Sequence, residues 1–228
     1  IGSGAATSGR GGSVSLTVGS GDSGAGGYLR VMSGRSDLHT GGALTVESGE
    51  GTATTSGSLK IRTSNAGTNG ASGMLVFSSG TASKGNSGMV MIGSGAATTG
   101  RGGSVSIKVG SGSSGAGGYL RVMSGRSDEV TGGALTVESG EGTASTSGSL
   151  KIRTANAGAT GSSGMLVFSS GTASSGNSGL VMIGSGAATS GRGGSVSLTV
   201  GSGDSGAGGY LRVMSGRSDL HTGGALTV

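Results

Sequence analysis

The sequence predicts an all-β fold, a parallel β-solenoid of tandem repeats, on three observations. Apolar residues alternate with polar ones in short segments that recur about every 15 residues. The whole pattern returns with a long period of 91: residues 1–46 recur unchanged as 183–228, and residues 92–182 copy 1–91 with 13 differences. Glycine makes up 57 of the 228 residues, and proline is absent. So much glycine opposes helix strongly, and nothing in the chain shows helical spacing.

Six segments carry the alternation within one long repeat: Val14-Ser15-Leu16-Thr17-Val18, Leu29-Arg30-Val31, Leu44-Thr45-Val46, Leu59-Lys60-Ile61, Leu75-Val76-Phe77 and Val90-Met91-Ile92. The leading aliphatics (Leu16, Leu29, Leu44, Leu59, Leu75, Val90, then Ile107) are 13, 15, 15, 16, 15 and 17 residues apart, which together make 91. Each segment tends to follow Gly-Gly or Ser-Gly and to precede Ser-Gly or Gly-Ser-Gly, as Gly26-Gly27 precedes Tyr28 and Ser33-Gly34 follows Met32. Equal starts and equal stops fit parallel strands stacked in a coil, with glycine corners above one another. An antiparallel meander would alternate them. Three strands per coil are favoured over two, because strands two and five then share one apolar face while strands one and four share a polar one. The predicted units are 1–91, 92–182 and the partial repeat 183–228, in one continuous solenoid cut from a longer polypeptide.

Composition excludes several classes. The apolar share is 32%, below the roughly 45–50% of ordinary domains, and the charged share is 11%. Gly, Ser and Thr at this level also describe a flexible linker, but linkers lack apolar residues in register. Without cysteine there is no disulfide framework and no thiolate metal site. No apolar run approaches the ~20 residues of a membrane-spanning helix. The net charge of +5 is spread over near-fixed repeat positions, without basic runs or interleaved aromatics, so a nucleic-acid interface is not expected. The charge leaves acidic polysaccharide as a second class of partner.

Catalytic and cofactor chemistry is not expected. The two histidines, His39 and His221, hold one repeat position, where the middle copy has Val130. Gly19-Ser20-Gly21-Asp22-Ser23-Gly24-Ala25-Gly26-Gly27 is faintly similar to a calcium-binding nonapeptide roll, but Ser113 replaces Asp22 in the second copy and no nine-residue spacing persists. No Gly-Lys pair opens a phosphate-binding loop. Arg35 with Asp37, and Arg126 with Asp128, read as local exposed ion pairs.

The expected core is Leu29, Val31, Leu44, Val46, Leu59, Ile61, Leu75, Phe77, Val90 and Ile92. The residues between them point outward. Among these, an apolar set is expected to form lateral assembly contacts: Tyr28, Met32, Met74, Val76, Met89 and Met91 in the first copy; Tyr119, Met123, Met165, Val167, Leu180 and Met182 in the second; Tyr210 and Met214 in the third. This set changes between copies only by Met89 becoming Leu180, and a continuous apolar stripe exceeds what soluble monomers present. Ser15, Thr17, Ser58, Lys60 and Arg62 are expected to face water.

The phrase Gly-Gly-Ser-Val-Ser-Leu-Thr-Val-Gly-Ser-Gly-Asp-Ser-Gly-Ala-Gly-Gly at 11–27, with its variants along the whole chain, resembles large repetitive extracellular proteins of diatoms and related heterokont algae, of the mastigoneme or cell-surface fibre type. The resemblance implies a secreted, non-enzymatic structural protein and carries over no functional residue. The function expected is therefore a structural subunit of an extracellular filament, built by solenoid stacking and lateral packing, whose partners are copies of itself or related chains. The alternatives are the repetitive stalk of a surface adhesin and an ice-binding solenoid. The last is disfavoured because Thr17 and Thr45 lack partners in a threonine ladder and Thr17 becomes Lys108.

Overall fold

A computed structural model describes residues 1–228. Its backbone is a regular succession of open arms and closed loops. The chain bends at 7–9, 22–24, 37–39 and 52–54, turns at 68–69, and bends again at 83–85 and 98–100. Successive bends therefore begin 15, 15, 15, 16, 15 and 15 residues apart, and the same series runs on through 219–221.

Each bend is the tip of a loop whose ends meet at a neck. The Gly12 N–H donates to the Gly4 carbonyl at 2.9 Å, Gly27 to Gly19 at 3.1 Å, Gly42 to Gly34 at 2.8 Å and Gly57 to Gly49 at 2.9 Å. The second and third copies repeat the bond, for example from Gly118 to Gly110 at 3.1 Å and from Gly224 to Gly216 at 2.8 Å. A serine hydroxyl adds a second bond at some necks: Ser3 donates to the Gly12 carbonyl at 3.0 Å and Ser48 to Gly57 at 3.1 Å. At Gly88 a Cβ would lie 3.4 Å from that of Ser79, so this neck closes by approach. The loop between Thr63 and Gly73 is one residue longer, and a tight turn, Gly70 N–H to the Gly67 carbonyl at 3.4 Å, takes up the extra residue.

Between necks run the arms Gly12–Val18, Gly27–Ser33, Gly42–Ser48, Gly57–Thr63, Gly73–Ser79 and Gly88–Ser94. Counted from its neck glycine, every arm has an aliphatic or Phe at the second and fourth places: Val14/Leu16, Leu29/Val31, Leu44/Val46, Leu59/Ile61, Leu75/Phe77 and Val90/Ile92. The first arm is thus led by Val14, not Leu16. The uneven steps of 13 and 17 vanish once the neck sets the count.

The predicted parallel β-solenoid is not formed. The chain contains no helix and no strand, so neither a three-sided nor a two-sided coil exists. No hydrogen bond joins residues more than nine apart, whereas coils would need ladders between residues roughly 30 or 45 apart. Thirteen backbone bonds hold the necks and turns, against about one intramolecular bond per residue in a globular protein. The physical reason is local. A neck brings two arms together at one point, and the arms part beyond it without further pairing. Each arm offers few apolar side chains, while glycine ordering is entropically costly, so long-range closure gains too little burial to offset its entropy.

The predicted core is likewise not formed. No residue is buried; Leu75, among the least exposed of the expected core, is still 48% exposed, and Ile92 is 74% exposed. The accessible surface is 22,648 Å² for 21.1 kDa. A compact protein of that mass exposes about 9,000 Å², and a fully extended chain about 31,000 Å². Contacts divide the chain into two units, Ile1–Gly118 and Tyr119–Val228, each made of the same arms and loops.

Candidate assembly surface

The arms hold the chemistry that can act. Tyr28 and Met32 flank Arg30 in the second arm, Met74 and Val76 lie in the fifth, and Met89 and Met91 in the sixth. All are exposed, from 61% at Val76 to 88% at Tyr28, and their counterparts Tyr119, Met123, Met165, Val167, Leu180, Met182, Tyr210 and Met214 are equally open. The residues predicted to be core are on the whole less exposed, from 48% at Leu75 to 74% at Ile92, but none of them is covered. Neither the outward nor the inward set is therefore buried in the single chain.

One local grouping stands out. In the second unit, Phe168 faces Val181, Met182 and Ile183 across a loop, enclosing an open apolar cleft of about 310 Å³. The cleft joins the fifth and sixth arms of the second copy, and it mixes a predicted contact residue, Met182, with three residues whose places in the repeat predicted them inward.

The loops are organised by short polar bonds. The Ser36 hydroxyl accepts from the His39 backbone N–H at 3.0 Å, Ser218 does so from His221 at 2.9 Å, and Ser127 from Val130 at 3.1 Å. This explains why valine can stand where histidine does: the loop uses that residue's backbone only. Arg35 pairs with Asp37 at 2.6 Å, and Arg126–Asp128 and Arg217–Asp219 do the same at 2.5 Å, all well exposed. Asp22 lies at a loop tip and is joined to no acidic cluster, since no group of three or more His, Cys, Asp or Glu converges anywhere.

Sequence reasoning missed the necks, although their signal was present: two glycines stand eight places apart in loop after loop, as Gly4 and Gly12 or Gly19 and Gly27 do. Of the 13 differences between copies, ten lie in loops, and none falls on a neck residue. No family model matches the chain, and no curated protein or solved structure matches it either.

Proposed function

We propose that this chain is a structural subunit of an extracellular filament or fibre, in which its apolar arms gain burial from neighbouring copies. The observation that supports this reading most is the lack of any buried side chain combined with apolar residues at fixed places in every arm. The surface exposed beyond that of a compact protein amounts to roughly 14,000 Å². A standard protein–protein interface buries about 1,600 Å², so enough surface is left for many neighbours. The bonds at one neck contribute about 0.5–1.5 kcal/mol each, while ordering the seven or eight residues of a loop costs about 1–2 kcal/mol per residue. The loops therefore need further burial to persist, and association supplies it.

Near-identical tandem copies suit this role, because each 91-residue period offers the same contacts again. The resemblance of its repeated phrases to algal surface and flagellar-hair proteins supports an extracellular position for such a fibre. The test is sedimentation and electron microscopy of the purified chain over a dilution series. Filaments above a threshold concentration are expected, and Met74→Ser, Val76→Ser and Met91→Ser, made together with Met165→Ser, Val167→Ser and Met182→Ser, should raise that threshold. A chain that stays monomeric at every concentration, or a variant with an unchanged threshold, contradicts the proposal.

A further inference from the structure

The six arms are not equivalent. In the arm Gly57–Thr63, Leu59 and Ile61 alternate with Lys60 and Arg62, and in Gly42–Ser48, Leu44 and Val46 alternate with Thr45 and Glu47. An extended arm presents alternate residues to opposite sides, so these arms offer one apolar side and one polar or charged side. A neighbour packed on the charged side would strand unpaired charges. The fifth and sixth arms differ. Met74-Leu75-Val76-Phe77 and Met89-Val90-Met91-Ile92 are apolar at four successive places, hence on both sides. Continuous apolar runs of this kind mark segments covered on both faces.

From this we infer that the fifth and sixth arms form the principal docking patch, and that two further copies of this chain cover it, one on each side, while the first, third and fourth arms take a neighbour on one side only. The inference rests on the assembly reading above and adds where the contacts concentrate. Three features identify the occupant as another copy. The arms of the patch carry no charge, so a charged partner finds nothing to pair with. The cleft within it is lined by Phe168, Val181, Met182 and Ile183 alone, without the convergent polar groups that fix a small ligand. The patch recurs 91 residues apart, at 74–77 and 165–168, so another copy presents matching patches at a matching spacing.

The experiment compares two variants by the concentration at which half the chain sediments. One changes the first side of the fifth arm, Met74→Ser and Val76→Ser with Met165→Ser and Val167→Ser. The other changes the second side, Leu75→Ser and Phe77→Ser with Leu166→Ser and Phe168→Ser. None of these residues is buried in the single chain, so both variants keep the necks. Each is expected to raise the threshold at least tenfold. Hydroxyl-radical labelling of wild-type filaments should find Met74, Leu75 and Phe77 all protected relative to the dilute chain. A variant of either side that assembles like the wild type, or labelling of one side as strong as in the dilute chain, overturns the two-sided patch and leaves the assembly reading standing. A wild-type chain that never sediments overturns both.

Discussion

The neck beside Val18 offers a sharp test of how the loops close. A Cβ placed on Gly27 would lie 2.5 Å from Val18 Cγ1, and the same clash recurs at 2.6 Å between Gly118 and Val109 and between Gly209 and Val200. Carbon atoms in contact prefer about 3.5–4.0 Å, so Gly27→Ala forces the two sides apart by at least about 1 Å. The Gly27 N–H to Gly19 carbonyl bond is already 3.1 Å, and that displacement breaks it, at a cost of about 0.5–1.5 kcal/mol. Gly24, in the same loop, has nothing within 4 Å of its would-be Cβ. Gly24→Ala should therefore leave the neck intact and restrict the unfolded chain, a gain of about 0.4–1 kcal/mol. The offending atom belongs to Val18, so Val18→Ala combined with Gly27→Ala should restore the neck, a positive coupling between the two sites. The assay is amide exchange at residue 27 in all four proteins. Equal protection in the Gly27→Ala and Gly24→Ala variants, or no rescue by the second substitution, would refute the steric account of this neck.

Two further outcomes follow from the loops and the arms. Ser36→Ala removes the acceptor of the His39 N–H and should speed exchange of that amide, whereas Asp37→Asn breaks an exposed ion pair worth about 0–1 kcal/mol and should barely change thermal behaviour. A larger effect from Asp37→Asn than from Ser36→Ala would contradict this order. All eight methionines lie in arms at 65–85% exposure. In the dilute chain hydrogen peroxide should therefore convert each thioether to a sulfoxide, with water as the other product. Mass spectrometry counts the oxygens, and an oxidised chain that still assembles at the wild-type concentration would show that methionine burial does not drive association.

Much of the periodic frame was legible in the sequence. The 91-residue period, the spacing near 15 and the placing of bends between apolar segments all reappear in the backbone. Arg35 and Asp37 pair as their spacing suggested, and His39 lies exposed at a loop tip. The error lay in converting alternation into a ladder. Leu59-Lys60-Ile61 alternates because one side can be covered and the other wetted, and this holds whether the cover is the same chain or another. Period-2 patterning identifies a face and says nothing of its partner. The choice of Leu16 as the first leading aliphatic had the same origin, because without the neck glycine Gly12 as a mark, Val14 and Leu16 are equally good starts. The necks themselves depend on two glycines eight apart, a signal easily lost where one residue in four is glycine.

The central claim is that the chain has no core of its own and acquires burial by association. Hydrogen exchange measured on the dilute chain and on assembled filaments tests it most directly, because unpaired amides exchange freely and covered ones do not. In the dilute chain the arms, such as Ser13–Val18 and Met74–Ser79, should exchange at nearly unprotected rates, with weak protection only at neck amides such as Gly12 and Gly27. In filaments protection should rise in the arms, most of all in the fifth and sixth, and recur at 15- and 16-residue steps that match the bends. Strong arm protection in the dilute monomer would contradict the claim, since it would mean that the chain folds around a core of its own.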